Sequence, residues 1–310
     1  MTGRRPPSRR YALQIGASCV LAWLAFRSPE PAPESSRVVL ADVLRGATEY
    51  LAGRGVASPR VDAELLLARA LGLTRIELYT HHDRPLTEGE RSAVRELVRR
   101  RGRREPLAYV LGEWGFRRLV LVTDRRALVP RPETEIVVER CLALLAEVRA
   151  PRVLDVGVGS GAIALALAQE VPGARVTATD ASAAALALAR ENADRLGATV
   201  ELVEGDLFAG VPGPFDLVVS NPPYVDEAEL DSLEPEVRDW EPRGAVVDAG
   251  QTERIAEAAR DVLAGWLVLE THAARADAAA KMLKGLGYAD VGVTPDLAGR
   301  PRVVEGRYSG

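Results

Sequence analysis

The chain has 310 residues, of which 47% are hydrophobic, and carries 40 basic against 44 acidic side chains. At about 150 residues per domain this length predicts two domains with a sizeable core, and the apolar share excludes a disordered chain. The near balance of charge gives no indication of a general polyanion binder. Two distant cysteines (19 and 141) and three histidines (81, 82 and 272) exclude a disulfide scaffold, a cysteine zinc site and a His-rich metal centre. We therefore expect a reduced, cytoplasmic, cofactor-using protein that binds no metal.

The first 37 residues form an atypical N-terminal extension. Four arginines precede an apolar run from Tyr11 to Phe26, and a Pro-rich polar stretch follows it. This run of 16 residues is shorter than the roughly 20 that a membrane-spanning helix needs. Three interpretations stay open: sequence upstream of the true translation start, an anchor or targeting segment, and an export signal. We exclude residues 1–37 from the fold prediction.

Residues 38–112 predict a small helical domain. Apolar residues recur every three or four positions from Val39 to Leu51, and Ser58-Pro59 is typical of a second helix start. Thr87 and Glu90 have the spacing of a capping box that opens a third helix. That helix ends in the basic cluster Arg99–Arg104. We interpret the cluster as a solvated helix end, with contact to an acidic partner or RNA as the alternative.

Residues 113–130 predict a β-hairpin linker. One strand is expected over Phe116–Val122 and a second over Ala127–Val129. The polar residues Thr123–Arg126 between them predict the turn. A helix should then follow over Ile136–Val148, after the proline-containing segment Pro130–Glu135.

Residues 131–310 predict an α/β domain with a doubly wound parallel sheet. Short apolar runs that alternate with helical patterns indicate strands covered by helices on both faces. The predicted strands are 153–156, 175–179, 200–203, 215–220 and 266–270, and the predicted helices are 162–170, 183–196, 252–263 and 273–286. Residues 288–294 and 301–305 predict a closing antiparallel hairpin.

A glycine loop between a predicted strand and a predicted helix indicates a ligand site. The loop consists of Gly157, Val158, Gly159, Ser160 and Gly161. Glycines let the backbone approach a ligand, and the N–H groups of the following helix face it. The GxGxG spacing differs from the dinucleotide fingerprint, and no Gly-Lys-Ser/Thr sequence follows to hold a triphosphate. Taken alone, such a loop is also a tight turn of any α/β protein.

Residues at the ends of the next two strands extend this site. Asp180 ends the strand after the loop, where a carboxylate can accept hydrogen bonds from both ribose hydroxyls. Asp206 follows the third strand, where it can accept from an adenine amino group or cap a helix. Leu207 beside it can pack on the adenine face. Together with the glycine loop, these residues predict an adenosyl cofactor.

The tetrapeptide Asn221-Pro222-Pro223-Tyr224 follows the fourth strand, at the sheet edge where open parallel sheets bind ligands. Two prolines fix φ and remove backbone donors, which leaves rigid outward carbonyls. Asn221 adds a side-chain acceptor and Tyr224 a flat face. We therefore expect a planar –NH₂ group to donate to the Asn221 oxygen and the Pro222 carbonyl.

This tetrapeptide resembles the signature of amino-group methyltransferases that use S-adenosylmethionine. Four further segments resemble one branch of them, the HemK/PrmC release-factor glutamine methyltransferases: 57–66, 104–112, 129–135 and 296–304. The resemblance implies a helical substrate-docking domain before a seven-stranded methyltransferase domain. It also implies methylation of the side-chain N5 of the Gln in the Gly-Gly-Gln loop of class I peptide chain release factors.

The resemblance also implies roles for individual residues. Cofactor contacts are implied at Gly157–Gly161, Asp180, Leu207 and Asn221, and substrate contacts at Asn221–Tyr224. From the residues themselves we expect Asn221 and the Pro222 carbonyl to hold the reacting amide while Tyr224 clamps its plane. The chain departs from the family at Leu207, where a Trp is usual, and in the segments 246–252 and 270–272.

Three other functions stay open at this point. An adenine-N6 nucleic-acid methyltransferase shares the tetrapeptide and flips its target base onto it, but it would require a basic target-recognition face. A methyltransferase for a Gln of a ribosomal protein is a close alternative within the family. A non-catalytic protein that docks on RNA or ribosomes through Arg99–Arg104 is the third. We expect release factors as partners, no stable nucleic-acid binding and a monomer.

Overall fold

The computed structural model describes residues 38–309, and the predictions for residues 1–37 lie outside them. The apolar spacing near the start of this range produces helix α1 (Leu40–Ala52), followed by α2 (Pro59–Leu71), α3 (Arg75–Thr80), α4 (Glu88–Gly102) and α5 (Leu107–Leu111). Leu40, Leu51 and Leu66 are among the buried residues that these helices pack together. The expected capping box at Thr87 and Glu90 is present. The sequence prediction missed α3, although Thr74 and Glu77 form a second capping box there.

The hairpin lies earlier in the chain than we predicted. Its strands are β1 (Glu113–Phe116) and β2 (Leu119–Val122), so the chain reverses at Arg117-Arg118. Residues 123–129 contain no strand, and the prediction of a strand over Ala127–Val129 is wrong. The reversal is stabilised from outside the hairpin. Arg117 adopts a positive φ of 51°, its N–H donates to the Glu135 carboxylate over 3.0 Å, and its guanidinium pairs with Glu170 over 2.7 Å.

The rest of the chain forms the predicted α/β domain around a seven-stranded sheet in the order β5-β4-β3-β6-β7-β9-β8. The strands are β3 (Arg152–Val156), β4 (Arg175–Asp180), β5 (Glu201–Glu204), β6 (Phe215–Ser220), β7 (Leu263–Glu270), β8 (Ala289–Pro295) and β9 (Pro301–Arg307). The helices are α6 (Thr134–Leu145), α7 (Ala162–Glu170), α8 (Ala183–Leu196), α9 (Pro235–Arg238), α10 (Arg243–Val246), α11 (Gln251–Ala259) and α12 (Ala276–Gly285). Five strands are parallel, and β9 runs antiparallel to both of its neighbours. The predicted fold class is confirmed.

Both faces of the sheet are covered, which explains the continuous apolar strands. Residues of α6, α7 and α8 form the core on one face, and residues of α11 and α12 form the core on the other. The chain order reverses beside β3, whose neighbours are β4 and β6. The carboxyl ends of these three strands therefore meet at the switch point where such sheets bind ligands.

The basic cluster at the end of α4 is engaged in ion pairs within the protein. Arg101 pairs with Asp62 and with Glu236, each over 2.7 Å, and is itself buried. Arg104 pairs with the same Glu236 over 2.5 Å. Since Glu236 lies in α9, part of the cluster joins the helical domain to the segment that follows the Asn221–Tyr224 tetrapeptide. Among residues 38–309 no helix is long and apolar enough to cross a membrane.

Candidate active site

The glycine loop connects β3 to α7 in a backbone conformation that L side chains rarely adopt. Gly157, Gly159 and Gly161 have φ values of 81°, 53° and 89°. A Cβ atom on Gly161 would lie 2.8 Å from the Leu165 side chain, so a larger residue there would have to displace Leu165 and would also be strained at this φ. The loop is tied to the end of β4, because the N–H groups of Gly157 and Val158 donate to the Thr179 carbonyl. These restraints leave a backbone surface that a ligand can approach closely.

Asp180 lies at the carboxyl end of β4, beside the glycine loop. One carboxylate oxygen accepts from the Gly159 N–H over 3.0 Å, and the other accepts from the Ser182 N–H over 2.8 Å. A carboxylate has about four lone-pair positions, so acceptor capacity for ribose hydroxyls is left after these two bonds. Asp180, which the sequence assigns to the ribose, therefore also holds the glycine loop in place.

Asp206 and Leu207 line the same cleft beyond β5. The Asp206 carboxylate pairs with Arg254 of α11 over 2.5 Å, and both side chains are exposed. Leu207 has a positive φ of 53°, and its carbonyl accepts from the Thr179 hydroxyl over 2.8 Å. Arg254 was absent from the sequence prediction, because nothing in the local pattern of α11 indicates which acidic residue it meets.

The tetrapeptide forms the opposite side of the cleft. Asn221, Pro222 and Pro223 line it, directly after β6. The Asn221 amide nitrogen donates to the Thr134 hydroxyl over 3.3 Å, and this bond turns the amide oxygen away from Thr134. Tyr224 is not among the cleft-lining residues, and its ring lies 6.2 Å from that of His272. The expected role of Tyr224 as a clamp stays a prediction.

The segment before α6 closes the cleft over the tetrapeptide. Val129, Pro130, Arg131 and Thr134 line the cleft, and Arg131 pairs with the buried Glu241 over 2.8 Å. Burial raises the pKa of Glu241, against the effect of Arg131. This pair joins the segment to the residues between α9 and α10, so two parts of the chain form a single wall.

Two buried polar side chains that the sequence prediction missed support the site from behind. The side-chain amide of Asn192 in α8 donates to the carbonyls of Val122 and Ser160. One side chain therefore holds both the hairpin and the glycine loop in place. Asp155 of β3 accepts from the N–H of Ala164 over 3.0 Å. Burial raises the pKa of Asp155 to about 7. Of these two residues, only Asp155 could have been noticed in the sequence, because it is a charged residue within an apolar strand.

The cleft has a volume of about 470 Å³, within the usual range for small-molecule sites of roughly 300–1,000 Å³. Its residues divide into two kinds. The glycine loop and Asp180 present backbone and carboxylate acceptors that fit an adenosyl group, while Asn221 and Pro222 present acceptors for an –NH₂ group. The arrangement can therefore place a small cofactor beside a planar amide.

No group of three His, Cys, Asp or Glu residues in the range 38–309 is arranged to hold a metal ion.

Comparisons with known proteins match two parts of the chain to known domain families. Residues 42–112 match the PrmC N-terminal domain family, and residues 135–234 match the methyltransferase small domain family. A solved structure of a release factor-specific protein-(glutamine-N5) methyltransferase from Alicyclobacillus acidocaldarius is 30% identical in sequence. Its alignment covers 59% of this chain and 95% of that chain, with a TM-score of 0.37.

The sequence relatives cover most of the chain. A protein of Geobacter sulfurreducens named release factor glutamine methyltransferase is 44% identical over 273 residues, which are 86% of this chain and 95% of that protein. A protein of the same name from Deinococcus radiodurans is 44% identical over 279 residues, or 87% of this chain and 99% of that protein. With these identities and coverages, the chain belongs to the release factor glutamine methyltransferase family.

Proposed function

We propose that this protein transfers a methyl group from S-adenosylmethionine to the side-chain N5 of the Gln in the Gly-Gly-Gln loop of class I peptide chain release factors. The observation that carries the proposal is the orientation of Asn221. Its amide nitrogen donates to Thr134, which leaves the amide oxygen as an acceptor for the –NH₂ group of a glutamine. A cytoplasmic location, where release factors act on ribosomes, is part of the proposal.

The cofactor would be held by residues that fit it. Gly157, Val158, Gly159, Ser160 and Gly161 would surround its amino-acid part, Asp180 would accept from the ribose hydroxyls, and Asp206 and Leu207 would contact the adenine. When bound, S-adenosylmethionine supplies an electrophilic methyl group on a positively charged sulfur. The protein then needs to supply position and orientation.

The amide nitrogen of glutamine is a poor nucleophile, because its lone pair is delocalised into the carbonyl. Asn221 and the Pro222 carbonyl would accept the two N–H groups and hold the nitrogen lone pair toward the methyl group. In the transfer the nitrogen lone pair would form the new N–C bond, while the electrons of the broken S–C bond would stay with the departing cofactor. As positive charge develops on the nitrogen, both acceptors bind it more strongly and stabilise the transition state. One N–H proton then leaves to water, so no catalytic histidine is required.

The contacts of the basic cluster weigh against nucleic acid as the substrate. Arg101 and Arg104 are paired with carboxylates of the protein itself, and Arg100 pairs with Glu105 over 2.5 Å. Charges neutralised in this way contribute little to binding a phosphate backbone. The same pairs weigh against a non-catalytic protein that docks on RNA through this cluster.

The direct test is incubation of the full chain with S-adenosylmethionine and a purified release factor, followed by peptide mapping by mass spectrometry. We expect one added methyl group on the Gln of the Gly-Gly-Gln loop. A release factor whose Gln is replaced by Ala is the matched control and should stay unmodified. Methylation of ribosomal protein or of adenine, with an unmodified release factor, would contradict the proposal. Calorimetric titration with S-adenosylmethionine separates a methyltransferase from a non-catalytic binding protein.

A further inference from the structure

One face of helix α11 forms the wall of the cleft beside Asp206. Gln251, Arg254 and Ile255 all line the cleft, and their spacing of three and four residues places them on the same side of a helix. The Nη2 atom of Arg254 donates to the Oδ2 atom of Asp206 over 2.5 Å. The helix is thereby connected to the loop after β5, where the sequence places the adenine of the cofactor.

This end of the cleft offers an adenine ring no aromatic partner. Among residues 38–309, the cleft-lining side chains include no phenylalanine, tyrosine or tryptophan. Leu207 provides an aliphatic contact, and it packs against the core cluster that contains Ile255. The side-chain amide of Gln251 is turned back to its own helix start, where it accepts from the Ala249 N–H. The flat group that is available at this end is the guanidinium of Arg254.

A guanidinium group is suited to the face of an adenine. It is planar, positively charged and weakly hydrated, so it stacks on aromatic rings. The attraction acts when the cation lies within about 6 Å of the ring centroid. The protein makes this contact elsewhere, because the guanidinium carbon of Arg125 lies 4.9 Å from the ring centroid of Trp240 and that of Arg152 lies 4.9 Å from the ring centroid of Phe215.

The ion pair with Asp206 holds the guanidinium close to where the base would bind. The hydrogen bond from Arg254 uses Oδ2 of the carboxylate, which leaves Oδ1 to accept from an adenine amino group. The base and the guanidinium would then be neighbours on one carboxylate. The Arg254 side chain is 48% exposed, so it has surface that a bound base can cover.

We propose that Arg254 binds the adenine of the cofactor by stacking its guanidinium on the ring, while Asp206 orients the guanidinium and accepts from the adenine amino group. This inference rests on the proposed function, because it requires an adenosyl cofactor. It gives a binding role to an exposed ion pair, a kind of contact that contributes little to folding stability.

The first test measures the Kd of the full chain for S-adenosylmethionine by calorimetry. Arg254→Ala should raise the Kd about 3- to 30-fold, because the ring loses its stacking partner. Arg254→Lys keeps a cation that can pair with Asp206 but has no flat group, and it should bind at least about three-fold more weakly than wild type. An unchanged Kd in Arg254→Ala would overturn the inference. A wild-type Kd in Arg254→Lys would do so too, since the ion pair alone would then account for binding.

A second probe distinguishes the adenine from the carboxylate of the cofactor as the group that Arg254 contacts. The probe is 5′-methylthioadenosine, which has the adenosine part but lacks the amino-acid part. Arg254→Ala should weaken its binding by the same factor as for S-adenosylmethionine, within about two-fold. A loss that is seen with S-adenosylmethionine but not with 5′-methylthioadenosine would place Arg254 on the carboxylate and overturn the inference.

The matched control is Arg45→Ala. Arg45 also forms an exposed ion pair over 2.5 Å, with Asp42 of α1, but it does not line the cleft. That variant should bind both probes with the wild-type Kd. Equal weakening in Arg45→Ala and Arg254→Ala would show that the loss is not local to the cleft and would overturn the inference.

A new flat group should compensate for the loss of Arg254. Leu207→Trp in the Arg254→Ala background should bring the Kd for S-adenosylmethionine back to within about three-fold of wild type. A double variant that binds as weakly as Arg254→Ala would overturn the inference. Absence of S-adenosylmethionine binding by the wild type would instead contradict the proposed function.

Discussion

The two sides of the cleft are built in different ways. The cofactor side is a continuous loop whose shape follows from glycines at positive φ, and Asp180 meets that loop from the adjacent strand. The substrate side combines Thr134 and Asn221, which belong to two separate segments of the chain. The first side is therefore specified by local sequence. The substrate side is specified only when the sheet has brought distant residues together. Its function depends on the direction of the hydrogen bond between Asn221 and Thr134.

The largest effect should come from removing the acceptor on the substrate side. Asn221→Ala should lower the single-turnover methylation rate by about 10²–10³, the usual loss for one hydrogen bond that strengthens in the transition state. Cofactor binding should change less than in Asp180→Ala, because the glycine loop and Asp180 are untouched. Asn221→Asp keeps an acceptor and should retain more activity than Asn221→Ala. Equal rates for Asn221→Ala and wild type would show that the amide is not held in this way.

The contact between the helical domain and α9 can be broken without touching the cleft. Glu236 is paired with both Arg101 and Arg104, and 13% of its side chain is exposed. Glu236→Ala leaves two arginines without this partner and should lower the free energy of unfolding by about 3 kcal/mol in chemical denaturation. The control is Glu88→Ala, whose partners Arg91 and Arg95 lie on the surface and whose loss should leave stability nearly unchanged. Similar stabilities for the two variants would contradict this account of the domain contact.

A smaller effect is expected on the cofactor side. Asp180→Ala removes charge-assisted hydrogen bonds worth roughly 1.5–3 kcal/mol, so the Kd for S-adenosylmethionine should rise about 10- to 150-fold. The rate at saturating cofactor should stay within a few-fold of wild type, which distinguishes this variant from Asn221→Ala. Calorimetry gives the Kd, and Asp194→Ala on the exposed surface of α8 is the control. An unchanged Kd would remove Asp180 from the cofactor site.

The smallest effect should be a gain. Leu207 occupies the position where the family usually has a Trp, and a larger aromatic face would stack on adenine. Leu207→Trp should lower the Kd for S-adenosylmethionine about 2- to 10-fold, with little change in the methylation rate at saturating cofactor. Leu297→Trp, at the exposed tip of the last hairpin, controls for added apolar surface. Weaker binding in Leu207→Trp would indicate that the adenine lies elsewhere in the cleft.

Elements with a strong local pattern were predicted at their observed positions. Helices α7 and α8 and strand β6 have the predicted bounds, because apolar periodicity and capping residues act within a few residues of each other. The hairpin was misplaced because its turn is held by Glu135 and Glu170, which lie far along the chain. The basic cluster illustrates the same limit, since Glu236 follows Arg104 by more than a hundred residues.

The sequence by itself determined the fold class, the glycine loop, the acidic residue after β4 and the tetrapeptide after β6. Each of these depends on backbone geometry or on strand order, which local residue types impose directly. Only the tertiary structure decided which way the Asn221 amide faces. A side-chain hydrogen bond takes its direction from whichever donors and acceptors surround it, and here the sheet and α6 bring those together from two distant segments.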